Sequence, residues 1–259
     1  MFEVNRITWA RRFDDAASDK LVTVATPVTA APFTMGCWFN SDDITIRQFL
    51  MMVGTSANND NRFSLELRGD VGGDPVYALT EASAAASQAA STTGYQANRW
   101  HHATAVYAAA NDRRIYLDGG GFAQETTSRT PAGINKVAVG CFSGSSDALR
   151  LSGLVMWPYV IPRMLTGADV MRLAAGDHPM VVGGQGTLFW DFHGRNIEND
   201  RGALYPLTNT GSVPVPGPAF LRDRIPRVGF WGAGAAVAGS IYGTVFNSPV
   251  IRASRVRGY

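Results

Sequence analysis

The sequence predicts an all-β protein made of two packed antiparallel sheets, and three observations carry that prediction. Glycine (28) and proline (13) are frequent among the 259 residues while only 17% are charged, as expected for strands joined by many turns. Hydrophobic side chains alternate with a period of two over Phe33–Phe39, which is typical of a half-buried strand. The stretch Asn98–Gly119 predicts a hairpin whose second strand ends in Asp118-Gly119, a pair that favours a tight turn with two positive φ values.

The N-terminal half is predicted to be a succession of short strands. They lie within 11–24 (two strands and a polar turn), 33–39, 49–53, 62–67 and 76–79. The loop Asn58–Asn61 separates the third and fourth of these regions, and its composition is typical of a turn.

The C-terminal half continues with strands and one helix. Strands are predicted at 137–140 and 149–157. Residues 165–176 predict a short helix, because Thr166 can cap its first turn, Asp169 lies at the capping-box distance and Gly176 can end it. One more strand at 188–192 is expected to return to the sandwich before a rigid proline-rich exit at 214–218.

The order of these motifs resembles the laminin G-like domains of the concanavalin A-like lectin/glucanase superfamily. The run Trp100-His101-His102-Ala103-Thr104-Ala105, followed by Tyr116-Leu117-Asp118-Gly119, is similar to that family's core hairpin, which reads Trp-His-His-x-Ala and then Tyr-x-Asp-Gly. The resemblance covers roughly residues 10–179. It implies a concanavalin A-like jelly roll with one short helix. It also favours a weak strand and loop over a helix for the Ala-, Ser- and Thr-rich residues 81–93.

The charge distribution divides the chain into two predicted regions. Residues 1–218 are expected to form the sandwich, and residues 219–259 an extended basic, Gly/Ala-rich arm. The segment 222–259 contains six arginines and one aspartate, whereas 228–251 is uncharged. Such an arm predicts contact with a partner. The predicted contact residues are Arg222, Arg224, Arg227, Phe230, Trp231, Tyr242, Phe246, Arg252, Arg255 and Arg257.

Neither end of the sequence predicts membrane targeting. The uncharged run 228–251 is long enough to span a bilayer, but five glycines within 229–243 and the Asn-Ser-Pro at 247–249 argue against a span. Residues 1–6 lead straight into polar, charged sequence without an apolar core segment, so we expect no signal peptide.

The cysteines and histidines are expected to pack inside the fold rather than to bind a metal. Cys37 and Cys141 are expected to be buried free thiols, although a bridge between them stays open. The four histidines lack the spacing of a zinc site. His101 and His102 are neighbours on one strand and should therefore face opposite sides of the sheet.

The sequence lacks the motifs of the catalytic relatives. Glycoside hydrolases of the superfamily carry Glu-x-Asp-x-x-Glu on one strand face, and this spacing is absent, as is Gly-x-Ser-x-Gly. The paired acids Asp14-Asp15 and Asp42-Asp43 are sequence neighbours that would point to opposite faces of a strand. We therefore expect no enzymatic activity.

The resemblance implies a calcium ion in the loops at the rim of the sandwich. Asp60, Asp112 and Asp147 are the candidate ligands, because calcium prefers carboxylate and carbonyl oxygens. The same loops could hold a sugar, with Asn58, Asn59 and Asn61 as hydrogen-bonding groups. The alternative is that these Asn and Asp residues are ordinary turn formers.

These observations predict a non-catalytic structural component of a virus particle, a phage decoration, vertex or fibre protein anchored by its C-terminal arm. Its expected partners are other virion proteins or further copies of itself, and its location is the virion, assembled in the host cytoplasm. The alternative is a lectin module that recognises host surface glycans, and a glycan-cleaving enzyme ranks below it. We do not expect nucleic-acid binding, because the arginines lack lysine clusters and interleaved aromatic residues.

Overall fold

The computed structural model describes residues 8–193, 196–200 and 204–218, and this part contains eighteen strands and two short helices. In chain order the strands are β1 (Trp9–Phe13), β2 (Lys20–Thr23), β3 (Phe33–Ser41), β4 (Arg47–Gly54), β5 (Arg62–Arg68), β6 (Pro75–Ala82), β7 (Ala85–Gly94), β8 (His101–Ala109), β9 (Asp112–Leu117), β10 (Gly120–Glu125), β11 (Lys136–Val139), β12 (Phe142–Ser143), β13 (Asp147–Ala148), β14 (Gly153–Ile161), β15 (Leu188–Phe189), β16 (Ile197–Glu198), β17 (Leu207–Thr210) and β18 (Val213–Pro216). The helices are α1 (Gly167–Ala174) and α2 (Pro179–Gly183).

The strands form two antiparallel sheets packed as a sandwich. Sheet A has the order β10-β9-β8-β3-β14-β1-β18, with β15 paired to β14. Sheet B has the order β16-β17-β2-β11-β4-β5-β6-β7, and β12 with β13 forms a separate small hairpin. Sheet neighbours such as β3 and β14 are distant in sequence, as in a jelly roll. The predicted all-β, two-sheet fold is confirmed.

The core lies between the sheets and is filled by alternate residues of their strands. The four apolar side chains that alternate along Phe33–Phe39 all face this core, as predicted. Tyr107 of β8 reaches across to sheet B, where its hydroxyl lies 2.8 Å from the carbonyl oxygen of Ser64 and 3.1 Å from that of Leu79. These bonds satisfy the buried phenol and join the two sheets.

The hairpin predicted from Asn98–Gly119 is present, and Asp118 at its end joins its two strands by hydrogen bonds. Asp118 (φ 54°) and Gly119 (φ 76°) have the predicted positive φ values at the turn from β9 into β10. The Asp118 carboxylate accepts hydrogen bonds from Nδ1 of His101 (2.7 Å) and from the backbone amide of His102 (2.8 Å). The backbone amide of Gln96 donates to Nε2 of His101, which places the imidazole proton on Nδ1.

The two histidines of this hairpin face opposite sides of sheet A, as predicted, and both are buried. The ring of His101 packs in the core against Phe39, 5.6 Å between centroids. The ring of His102 lies on the outer side against Trp38, 5.2 Å away. Burial lowers the pKa of His102 to about 3, so its imidazole is neutral near pH 7.

Asp118→Asn is expected to lower the free energy of unfolding by about 1 kcal/mol near pH 7, because the amide cannot accept both hydrogen bonds. Burial alone would raise the pKa of the Asp118 carboxyl, but the bonds from both histidines hold it below its ordinary value. A carboxyl with a lower pKa in the folded state stabilises the fold above its unfolded pKa, about 3.9, and loses this contribution as the pH falls. Urea unfolding from pH 6 down to about 3 should therefore show a smaller acid-dependent loss for Asp118→Asn than for the wild type. Equal losses would contradict this role.

Two helices cover the outer side of sheet A. The capping box of α1 is present, since the Thr166 hydroxyl accepts from the Asp169 amide and the Asp169 carboxylate accepts from the Thr166 amide. Gly176 follows the helix with φ 95°, which confirms the predicted stop. Helix α2 was not predicted: its five residues, capped by His178, are too short to show a helical hydrophobic period.

The cysteines are both free and buried, and they belong to different clusters. Cys37 lies in the core, whereas Cys141 lies on the outer side of sheet B beneath the β12–β13 hairpin. Burial raises the pKa of both thiols, that of Cys141 to about 12. The predicted free thiols are therefore confirmed, and the alternative bridge does not form.

The segment 188–218 joins both sheets, which corrects the prediction of one strand followed by a proline-rich exit. Strand β17 pairs with β2 in sheet B, and β18 pairs with β1 in sheet A. The exit is thus largely strand β18, at the edge of its sheet. Proline is tolerated there because a residue at a sheet edge need not donate to a second neighbour.

An ion pair inside the sandwich ties this segment to β1. Arg11 and Glu198 each have side chains only 1% exposed. Nε and one terminal nitrogen of Arg11 donate to Oε1 of Glu198 at 3.0 and 2.5 Å, and the other terminal nitrogen donates to the carbonyl oxygen of Ser212 at 2.7 Å. Oε2 of Glu198 accepts from the His193 amide. Each buried charge therefore has its hydrogen-bond partners only when strands β16 and β18 are in place.

The predicted arm, residues 219–259, and all of its predicted partner-contact residues lie outside the described residues. Within the ranges that the structure describes, no helix is long and apolar enough to cross a membrane.

Candidate functional site

The outer side of sheet B carries polar and aromatic side chains, in contrast to the helix-covered outer side of sheet A. Because residues alternate along β5, Phe63 and Leu67 point into the core while Ser64, Glu66 and Arg68 point outward. The β12–β13 hairpin packs over Phe49 and Met52 of β4. We call the outward side chains beside that hairpin the polar face of sheet B. It consists of Arg47, Ser64, Glu66, Arg68 and Tyr77.

Glu66 lies at the centre of the polar face and is fully buried by its partners. Arg47 donates to Oε2 of Glu66 through Nε (2.9 Å) and lies 2.7 Å from it through a terminal nitrogen. The Ser64 hydroxyl donates to Oε1 at 2.5 Å. The Arg47 side chain remains 27% exposed. The carboxylate therefore fixes a guanidinium that is still accessible to a ligand.

Arg68 and Tyr77 form the second part of the polar face. The guanidinium carbon of Arg68 lies 4.7 Å from the centre of the Tyr77 ring, a cation–π distance. The same guanidinium donates two hydrogen bonds to Asp70, both 2.8 Å long, and these bonds raise the pKa of Arg68 further. Tyr77 is directly opposite Glu66 in the strand register, so the two halves of the face adjoin.

Arg62 joins the polar face to the loops at its rim. A terminal nitrogen lies 2.5 Å from a Glu81 carboxylate oxygen and 2.6 Å from the carbonyl oxygen of Asn59. The guanidinium also lies over the rings of Phe142, at 5.0 Å, and Phe49, at 5.8 Å. Burial lowers the pKa of Arg62, although Glu81 opposes this shift. This one side chain therefore connects strand β5, the β12–β13 hairpin and the Asn-rich loop.

The Asn residues predicted to bind a ligand are at this rim, where their side chains bind the protein itself. Oδ1 of Asn59 accepts from the Ser145 amide (3.0 Å) and that of Asn61 from the Ala132 amide (3.0 Å). Oδ1 of Asn58 accepts from the amide two residues along the chain. These bonds fit the alternative that the loop residues are turn formers, and their role in ligand binding stays a prediction.

The three predicted calcium ligands have separate surroundings. Asp147 pairs with Lys20, and Asp112 pairs with Arg114 at 2.6 Å. Asp60 is exposed in the Asn-rich loop. Among the described residues, no group of three or more His, Cys, Asp or Glu side chains could hold a metal ion.

The outer side of sheet B carries a second buried or half-buried carboxylate outside the polar face, that of Glu81. Glu66 of β5 and Glu81 of β6 point to the same side, but Glu81 is opposite Arg62, four residues from Glu66. At about 3.3 Å per residue, their backbones are about 13 Å apart along the strand. Each carboxylate is bound by an arginine.

Sequence reasoning missed the polar face because none of its residues forms a recognisable motif. The sequence pattern places Tyr77 in a predicted strand, and it does not indicate Arg47, Glu66 or Arg68 as candidate site residues. The alternation of Ser, Glu and Arg with Phe and Leu along 62–68 is the signal that could have identified a polar outer side.

Comparisons with known proteins agree with this architecture. A laminin G-like family model, described as concanavalin A-like lectin/glucanases superfamily, matches residues 15–171. No curated protein matches the chain.

Solved structures with a similar fold include three of differing origin. A proposed carbohydrate-binding protein from Bacteroides ovatus has a TM-score of 0.57 and 17% identity, over 82% of this chain and 60% of that one. A heptameric SAP-like pentraxin from Limulus polyphemus has a TM-score of 0.53 and 14% identity, over 66% and 83%. The CBM40 of an IT-sialidase from Ruminococcus gnavus has a TM-score of 0.50 and 11% identity, over 61% and 94%. At these identities the shared property is the fold.

Proposed function

Because the chain belongs to the laminin G-like domains of the concanavalin A-like lectin/glucanase superfamily, we propose that it is a glycan-binding protein that does not cleave its ligand. The fold is lectin-like, and the similar protein from Bacteroides ovatus is itself described as a proposed carbohydrate-binding protein. The ligand would lie on the polar face of sheet B.

The observation that carries this proposal is the fixed arrangement of Arg47, Glu66, Arg68 and Tyr77. Hydrogen bonds from charged groups are stronger than neutral ones, and sugar hydroxyls can accept them from guanidinium groups. Both arginines are already held by carboxylates, so binding would cost little side-chain entropy. Tyr77 is buried beneath the Arg68 guanidinium and helps to hold it in place, so the two arginines match the hydroxyl groups of a saccharide.

The pairing of the carboxylates supports binding without hydrolysis. Glycosidases use two carboxyl groups that flank the scissile bond, one as general acid and the other as base or nucleophile. Glu66 and Glu81 are both engaged in ion pairs with arginines. Neither group has the surroundings expected of a general acid.

The proposed role as a virion component stays a prediction, as do its virion partners and location. It rests on the charge asymmetry between 1–221 and 222–259, and the residues of the arm lie outside the part of the chain that the structure describes.

Arg68→Ala is expected to weaken glycan binding at least tenfold, because it removes the guanidinium from the polar face and leaves the partly exposed Asp70 in contact with water. The measurement is a glycan array with the full-length protein, followed by titration of each ligand found. The control is Arg172→Ala, which removes an Arg–Asp pair on the other side of the sandwich, between Arg172 of helix α1 and Asp177.

A wild-type protein that binds no glycan on the array would contradict the proposed function, and unchanged binding by Arg68→Ala would place the ligand elsewhere. Repeating the array with EDTA tests the calcium prediction for Asp60, Asp112 and Asp147. Glycan binding that is unchanged in EDTA would show that the binding does not need calcium.

A further inference from the structure

Phe122 of β10 is exceptional among the aromatic residues of the described ranges. Its side chain is 46% exposed, whereas every other described aromatic side chain is buried or half-buried. Burial alternates along β10, so that Ala123 packs against the core and Phe122 points to the outer side of sheet A. Leaving a phenylalanine ring in water is unfavourable by about 1.5–3 kcal/mol relative to burying it.

The exposed ring of Phe122 packs against the ring of Tyr116. Its centre lies 5.1 Å from that of Tyr116, with the two planes inclined at 45°. Tyr116 is itself only 8% exposed, and it belongs to the cluster that α1 covers. Contact with a fixed neighbour limits the rotamers of Phe122, so one ring face is held toward solvent.

A row of hydrogen-bonding side chains lies beside the ring on the same face. Arg114 of β9 and Gln124 of β10 are directly paired in the register. Asp112 accepts hydrogen bonds from Nε of Arg114 (2.9 Å), from its terminal nitrogen (2.6 Å) and from Nε2 of Gln124 (2.9 Å). The charges of Asp112 and Arg114 cancel, and Gln124 is neutral. The row is therefore polar, ordered and without net charge.

We propose that Phe122, Asp112, Arg114 and Gln124 form a second ligand surface, which takes a neutral saccharide. Same-face neighbours on a strand are about 6.6 Å apart, so one ligand can contact both the ring and the polar row. The apolar C–H face of a sugar would pack on Phe122, and its hydroxyls would bond with the amide and the carboxylate. The absence of net charge in the row favours a neutral sugar over an acidic one.

This surface is on sheet A and does not depend on the polar face of sheet B. Two ligand surfaces on one sandwich would let the protein bind two sugars of one chain, or two chains, with increased avidity. The main competing occupant is a protein, because Met171 of α1, which is 56% exposed, lies beside Gly119 in the adjoining turn and adds an apolar side chain to this area.

The test is saturation-transfer NMR and titration with cellohexaose, maltohexaose and mannohexaose, using full-length wild type, Phe122→Ala, Phe122→Trp and Met171→Ala. Saturation transfer from aromatic protons to the sugar is expected in the wild type. We expect Phe122→Ala to weaken binding at least tenfold and Phe122→Trp to retain it. Met171→Ala should bind as the wild type does.

Binding by Phe122→Ala that equals wild-type binding would overturn the second surface, as would silence with all three sugars. A loss for Met171→Ala as large as that for Phe122→Ala would show that the sugar contact is not confined to Phe122 and the polar row, and would also overturn the proposed surface. Arg68→Ala separates the two proposals. If Arg68→Ala binds these sugars normally while Phe122→Ala does not, the second surface stands and these sugars do not use the polar face. If Phe122→Ala binds them normally while Arg68→Ala does not, the sugars bind at the polar face and the second surface is overturned.

Discussion

Arg11→Ala is expected to lower the free energy of unfolding by about 3–5 kcal/mol, because it leaves the Glu198 carboxylate buried without its partner. The arginine also holds the Ser212 carbonyl, so its loss loosens the contact of β18 with β1. Urea unfolding of the full-length protein measures the change. Hydrogen exchange of the amides in 207–216 should accelerate at the same time.

The matched control is Arg12→Ala, the next residue on β1. Arg12 pairs with Asp42 at 2.5 Å, but their side chains are 47% and 26% exposed. An exposed pair contributes about 0–1 kcal/mol. If Arg11→Ala and Arg12→Ala destabilised the protein equally, the buried pair would contribute no more to stability than the exposed one.

Arg62→Ala is expected to lower the free energy of unfolding by about 2–4 kcal/mol, from the loss of a largely buried ion pair and two cation–π contacts. Its loss leaves Glu81 without a cation and removes the layer over Phe49 and Phe142. Because the same guanidinium donates to Asn59, the rim loop should also loosen. Urea unfolding gives the energy, and hydrogen exchange across 58–61 and 142–148 reports the loops.

Arg68→Ala is the control for this second change, since it is on the same strand and also removes an ion pair and a cation–π contact. Asp70 is exposed, so the expected cost is about 1 kcal/mol or less. Unchanged exchange of 142–148 in Arg62→Ala would show that the hairpin is held by other contacts.

Local patterns predicted the parts of this fold that local physics determines. The alternation over 33–39 identified the core side of β3, and Asp118-Gly119 identified a turn because few residues adopt positive φ. The capping residues Thr166 and Asp169 likewise identified the start of α1. The Ala-, Ser- and Thr-rich residues 81–93 have no clear strand period of their own, and the strand there follows the family resemblance. They end β6 and form most of β7 because these two strands pair.

The candidate site was less predictable, because its residues come together only through strand register. Glu66 and Tyr77 adjoin across β5 and β6, although eleven positions separate them in sequence. No local rule indicates that Phe122 is exposed while Phe33 is buried, since both occur in short alternating strands. The Asn residues of 58–61 are candidate ligand-binding groups by their side-chain amides. In the structure, the side-chain oxygens of Asn59 and Asn61 accept hydrogen bonds from neighbouring loops.

The most direct test of glycan binding on sheet B is amide chemical-shift mapping of the full-length protein, titrated with the tightest ligand from the array. We expect the largest shifts in β5 and β6, at Glu66, Arg68 and Tyr77. Arg68→Ala should suppress these shifts, and the glycan should be recovered intact. Shifts that leave these strands unchanged while the glycan is bound, or release of cleaved sugar, would contradict this expectation.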